Sequence, residues 1–176
     1  MATIDQFKAQ LTGGGARANQ FRVTMNTPGA VATGLDARRT SFLVKAAALP
    51  GRTMGEIAIP FRGRNLYIVG DSEFDTWETT IINDTDFMVR NAMERWQNAM
   101  NDTVTNTGLI NVADYQADLI VEQLDRDDTV LKSYILRGCF PQVVAPIELS
   151  YETANAIEEF GVTWRYHHFE ASAVNF

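Results

Sequence analysis

Along most of this chain polar and apolar residues alternate, and one sustained stretch of helical period interrupts them. Gln20–Asn26 sets Phe21, Val23 and Met25 against Arg22, Thr24 and Asn26, the two-residue period of a half-buried strand. Ser41–Ala48 reads as a second strand, ended by "LPGRTMG" at 49–55. Glu56–Arg62 and Arg64–Val69 read as two short strands broken at Gly63, with Pro60 demoting the first to an edge or bulge. Gly70–Asp71 predicts a turn. Glu73–Asn83 then predicts a strand with Trp77, Thr79 and Ile81 on one face and Phe74, Thr76, Glu78, Thr80 and Ile82 on the other. Asp118–Leu124, Thr129–Arg137 and Phe160–Phe169 are further strands, the first two joined by the tight turn "DRDD" at 125–128. Val143–Tyr151 reads as a short strand or extended segment, and Glu152–Glu159 as a turn or a single helical turn.

The helical stretch follows "IINDTDF". Asp84 or Thr85 is a natural N-cap, and Asp86 adds a favourable charge in the first turn. Val89, Met93 and Trp96 recur at helical spacing, with Phe87, Ala92 and Met100 beside them, while Arg90, Asn91, Glu94 and Gln97 face water. The spacing predicts one helix over 84–100 that seals one side of a sheet. Ile4–Leu11 predicts a shorter amphipathic helix within an N-terminal arm at 1–19, followed by a glycine hinge, "TGGGA", at 12–16; 27–40 and 101–112 read as loops. Strand–helix–strand alternation is missing. The expected fold is therefore mainly β: two packed antiparallel sheets forming a sandwich or partly open barrel with one flanking helix, in a single domain over 1–176.

Composition narrows the function more than the fold. A chain of 176 residues, 45% apolar and 21% charged, can bury a core without disulfides. Its net charge of −7 disfavours a nucleic-acid-binding role, which needs clustered Lys and Arg. The charge is unevenly spread: residues 1–70 hold nine of the 15 bases and only three acids, so oppositely signed surfaces of two copies could meet in a fixed orientation. The N-terminus lacks a basic region followed by an apolar run, and no segment has the length to span a bilayer, so folding in a cytoplasm without a membrane anchor is expected.

Reactive groups are sparse. Cys139, in "ILRGCFP", reads as a small buried side chain. His167 and His168, the two histidines, are adjacent on a strand and point to opposite faces, a poor arrangement for one metal. Asp125, Asp127 and Asp128 lack the central Gly and distal Glu of a calcium loop. No catalytic residue, metal site or cofactor site is expected, and no enzymatic activity. Leu49, Pro50, Gly51, Arg52 and Thr53 form a Pro-Gly loop carrying an arginine between two strands, suited to docking on another subunit; an ordinary surface turn is the alternative reading.

Several segments, taken in order, resemble a known family. "VEQLDRDDTVLKSYILRGCFPQVVAPIELS" (121–150) and "IEEFGVTWRYHHFE" (157–170) are similar to the C-terminal half of the tail tube proteins of contractile-tailed bacteriophages. "FLVKAAALPG" (42–51), "IPFRGRNLYIVGD" (59–71) and "FDTWETTIINDTDFMVRNAMERW" (74–96) resemble that family's early strands, its Gly-Asp turn and its strand-to-helix passage. Asp128 stands where the family has a turn Gly, and His167-His168-Phe169 replaces an Asp-Tyr-Trp-like ending. The resemblance implies a structural virion protein whose hexameric rings stack into the inner tail tube, a conduit for DNA ejection, with sheets joined between subunits into an inner β-barrel. Its implied partners are the tail sheath, the baseplate hub, the tape measure protein and the tail terminator, with DNA in transient passage. It would be assembled in the host cytoplasm and reside in the virion tail. Tubes of contractile injection systems, bacteriocins and type VI secretion share the plan and form the alternative reading; a monomeric β-sandwich binding module or hydrolase is the alternative from another class.

Overall fold

The computed structural model describes residues 3–11, 13 and 15–172; Thr12 and Gly14 of the expected hinge lie outside the described residues. The chain runs α1 (Ile4–Gln10), β1 (Phe21–Met25), α2 (Ala37–Leu43), β2 (Val44–Ala47), β3 (Thr53–Phe61), β4 (Arg64–Glu73) and β5 (Trp77–Ile82). It continues with α3 (Met88–Met100), α4 (Val112–Tyr115), β6 (Ala117–Leu124), β7 (Val130–Val144), β8 (Glu159–Arg165) and β9 (His168–Ala171). The fold is mainly β and antiparallel throughout. Seven strands form one sheet in the order β1-β6-β7-β8-β5-β2, with β9 also on β7, while β3 and β4 form a separate two-stranded ladder.

Strand β7 organises the body. Its first part pairs with β6 and β9 and its last part with β8, so the two halves of the sheet share a single 15-residue strand. Thr129–Arg137 and Val143–Tyr151, read separately from the sequence, are joined in it as far as Val144. The obstacle to seeing this is the "GCFP" between them. Gly138 takes φ 65° and shifts the register against β6, a bulge that only a residue tolerating the left-handed region fits easily. A Cβ at Gly138 would lie 2.5 Å from the His167 ring. Pro141 is accommodated by a second register shift, against β8. Opposite the first bulge, the expected strand Phe160–Phe169 is interrupted between β8 and β9 at Tyr166 and His167.

One face of the sheet and helix α3 enclose the core: Val23, Met25, Trp77, Ile81, Leu119, Val121, Leu136, Phe160, Val162 and Trp164 pack with Val89, Ala92, Met93 and Trp96. Trp96 and Trp164 meet edge to face with centroids 5.7 Å apart. Each buried indole N–H has an acceptor: Trp96 donates to Tyr115 O (2.6 Å), Trp77 to Ala48 O (2.6 Å) and Trp164 to Thr79 Oγ1 (3.0 Å). Burial of the Thr79 hydroxyl is thereby explained.

Four expectations about element boundaries need correction. Helix α3 starts at Met88, after Phe87 in the left-handed conformation (φ 53°), instead of at an Asp84 or Thr85 cap. Asp84 and Asp86 are engaged by Arg39, and Asp84 O accepts from Phe87 N, which closes a turn where the helix was expected to begin. Residues 37–43, read as loop and strand, form α2 because the Asp36 carboxylate caps the N–H groups of Arg38 (3.0 Å) and Arg39 (3.2 Å). The Gly70–Asp71 turn does not exist; β4 runs on to Glu73. The strand expected from Glu73 starts at Trp77, since Phe74 leaves the ladder to pack on Tyr166 and Phe169 while Arg165 donates to its carbonyl.

Candidate functional site

The ladder of β3 and β4 runs from Thr53 opposite Glu73 to Phe61 opposite Arg64, with a register shift between Met54 and Glu56. Its tip, Arg62 (φ 47°) and Gly63 (φ 84°), is a two-residue turn with both central residues at positive φ, the type that matches strand twist. Direct pairing puts Ile57, Ile68, Ile59, Leu66 and Phe61 on one face and Ala58, Tyr67, Glu56 and Val69 on the other. Both faces meet solvent, and Phe61 is 66% exposed although the Arg62 guanidinium lies 5.4 Å above its ring. A lone two-stranded hairpin is marginally stable in water, and this one adds an uncovered apolar face. Such a surface calls for a partner. Its roots are firmly held, one where Trp77 grips Ala48 O and the other in the cluster of Phe74, Tyr166 and Phe169.

Leu49, Pro50, Gly51 and Arg52 form the irregular strap that leads from β2 into this hairpin, and Thr53 is the first residue of β3. All are solvent-exposed except Pro50, which is half-buried. The apolar hairpin face itself was not singled out from the sequence. Its signal was "FRGR" between two apolar alternating runs, a two-residue turn with Gly in second place, masked by the weight given to Pro60.

A second feature accompanies the hairpin. β1 and β2 stand at opposite ends of the strand order, each paired on one side only among the described residues. Their unpaired backbone groups are templates for another strand. The sheet face away from α3 carries Glu78, Asp118, Glu122, Glu159 and Glu170, partly neutralised by Arg22, Arg137 and Lys45. Hydrogen bonding to Arg137 holds the Glu170 carboxyl below its ordinary range, and the Arg39 pair does the same for Asp84.

The reactive residues do not converge. His167 Nε2 lies 2.9 Å from Gln116 Nε2, and His168 Nε2 lies 4.0 Å from Glu170. Among the described residues no three metal-ligating side chains gather, and no helix is long and apolar enough to cross a membrane. Cys139 is buried, and burial pushes its thiol up to about 12.

The family profile described as phage tail tube protein matches residues 16–172. The chain belongs to the phage tail tube protein family. It is 32% identical over 168 residues to the tail tube protein of Serratia phage KSP90, covering 94% of this chain and 95% of that one. Against the tail tube protein gp19 of Enterobacteria phage T4 it is 29% identical over 171 residues, covering 97% and 100%. Among solved structures, a chain of the anti-feeding prophage baseplate superposes with a TM-score of 0.66 at 12% identity, over 92% of this chain and 98% of that one. A chain of the PVC sheath–tube complex, from an extracellular contractile injection system, gives 0.58 at 13% identity over 99% and 100%. These tail tube relatives are structural proteins. Within the family, Asp128 takes φ 63°, the conformation for which the resemblance led us to expect Gly.

Proposed function

We propose that copies of this chain close into hexameric rings that stack into the inner tail tube of a contractile phage, through which DNA passes during ejection. The observation that carries this reading is the pair of open edges, β1 and β2, at opposite ends of one strand order, together with an apolar hairpin that covers nothing among the described residues. Joining β1 of one copy to β2 of the next satisfies both edges and makes the sheet continuous around a lumen. The hairpin and the strap at Leu49, Pro50, Gly51, Arg52 and Thr53 then reach the next ring, a head-to-tail contact that propagates into a filament. Arg52, Arg62 and Arg64, which form no ion pair among the described residues, favour an acidic surface of the neighbouring copy.

The face carrying Glu78, Asp118, Glu122, Glu159 and Glu170 lines the lumen in this arrangement, and its acidic balance lets DNA slide without phosphate contacts. The outer side meets the tail sheath, with baseplate hub, tape measure protein and terminator as further partners and assembly in the host cytoplasm. The fold likeness to chains from the anti-feeding prophage and from the PVC complex favours one second reading, the tube of a phage-derived injection particle. Electron cryo-microscopy of particles assembled from this protein tests the proposal. A ring whose neighbouring copies share hydrogen bonds across β1 and β2 is expected, and a reconstruction in which those edges face solvent overturns it.

A further inference from the structure

Helix α1 is built to persist and yet covers nothing. Thr3 Oγ1 accepts from Gln6 N and the Gln6 side chain returns to Thr3 N, a complete capping box, but none of the helix's residues is buried. Seven residues are too few for a helix to stand alone in water. Ile4, Phe7 and Leu11 recur at helical spacing on one face and are 70%, 66% and 44% exposed. Another unsupported apolar surface is the hairpin face of Ile57, Ile59, Phe61, Leu66 and Ile68.

We infer that α1 of one copy lies across this hairpin face of the neighbouring copy. The inference rests on the edge-to-edge ring proposed above. Helix α1 leads into β1, at one end of the sheet, whereas the hairpin grows from β2 and β5, at the other end. Within one chain α2 lies beside β1 and runs directly into β2, and so stands between the two. When β1 of one copy joins β2 of the next, α1 is carried to the root of the neighbour's hairpin. Gln123 holds the turn at Arg17 and Gln20 against β6, so residues 12–16 supply the tether, of up to about 17 Å.

The dimensions agree: Ile4 to Leu11 rises about 10 Å along a helix, and Ile57 to Phe61 spans about 13 Å along a strand. Charge sets an orientation: α1 carries Asp5 in its first turn and Lys8 in its last, so contact of Asp5 with Arg62 and Arg64 at the hairpin tip leaves Lys8 toward the root, and none of the four forms an ion pair among the described residues. Two elements too small to be stable separately complete one small core between copies.

Cross-linking tests this directly, because the single native thiol, Cys139, is buried and does not compete. Pools of Phe7→Cys and Ile59→Cys protein are mixed, assembled and treated with a mild oxidant. A disulfide joining the two variants in assembled tubes is expected, and the double variant kept monomeric should form none. Phe7→Asp should leave the melting temperature of the monomer unchanged and raise the concentration needed for assembly about tenfold or more. An intrachain disulfide in the monomeric double variant overturns the inference, since the arm then covers its own hairpin. Tubes of normal edge pairing with no cross-link, and with Phe7→Asp assembling like wild type, also overturn it while leaving the ring intact. Wild-type protein whose β1 and β2 edges never pair removes both readings together.

Discussion

Trp96 and Phe61 illustrate two uses of an aromatic side chain in one molecule. Trp96 is fully enclosed between α3 and the sheet, with its ring against Trp164 and its N–H on Tyr115 O, whereas Phe61 stands 66% exposed at the end of a projecting ladder. The body is a completed object: its three tryptophan N–H groups are satisfied and its helix is sealed onto its sheet. The hairpin is hydrogen-bonded within itself and unfinished on both faces. Apolar surface in the body stabilises the subunit, and apolar surface on the hairpin is available only to something outside it. Local regularity is therefore a poor guide to self-sufficiency.

Three substitutions sharpen this contrast, ordered by expected effect on subunit unfolding. Trp96→Ala opens a cavity in the body and should cost about 3–5 kcal/mol, read as a lower denaturant midpoint of the monomer. Stability equal to wild type would remove Trp96 from the core. Gly138→Ala should cost about 1–3 kcal/mol in the same assay, because it forces a side chain into the left-handed region and toward the His167 ring. A neutral result would mean that the bulge can relax to negative φ. Phe61→Asp should change monomer unfolding by no more than about 0.5 kcal/mol, since the ring covers nothing in its own subunit, and should abolish tube formation seen by electron microscopy. If it unfolded the subunit as Trp96→Ala does, the hairpin would belong to the body after all.

Legibility in the sequence followed how local each signal was. The alternation in Phe21–Met25 and the stripe of Val89, Met93 and Trp96 identified a strand and a helix with the correct buried faces, and the alternation through Trp77–Ile82 separated the two faces of β5, because burial of one face imposes that period directly. Long-range partners decided what was missed. Arg39, 45 residues from Asp84 in sequence, engages the acid that looked like a helix cap, while Asp86 Oδ1 still accepts from Met88 N at the start of α3. Asp36 as a cap was legible in principle, but "LDARRT" lacks the apolar stripe that marks a helix from outside. The length of β7 was hidden because Gly138 and Pro141 read as breakers, and a breaker in an alternating run is equally the mark of a bulge. At the candidate site, the strap at 49–53 was visible from its Pro-Gly chemistry. The hairpin face beyond it was not, since an exposed isoleucine and a buried one obey the same alternation.

The bend at Gly138 has a geometric consequence for any closed assembly of this chain. Where each copy turns the shared sheet through the same angle, the circle shuts only when those angles total one revolution. Gly138 shares that task with the register shifts at Pro141 and between β2 and β5, so the number of members would follow from how these irregularities add up around the sheet.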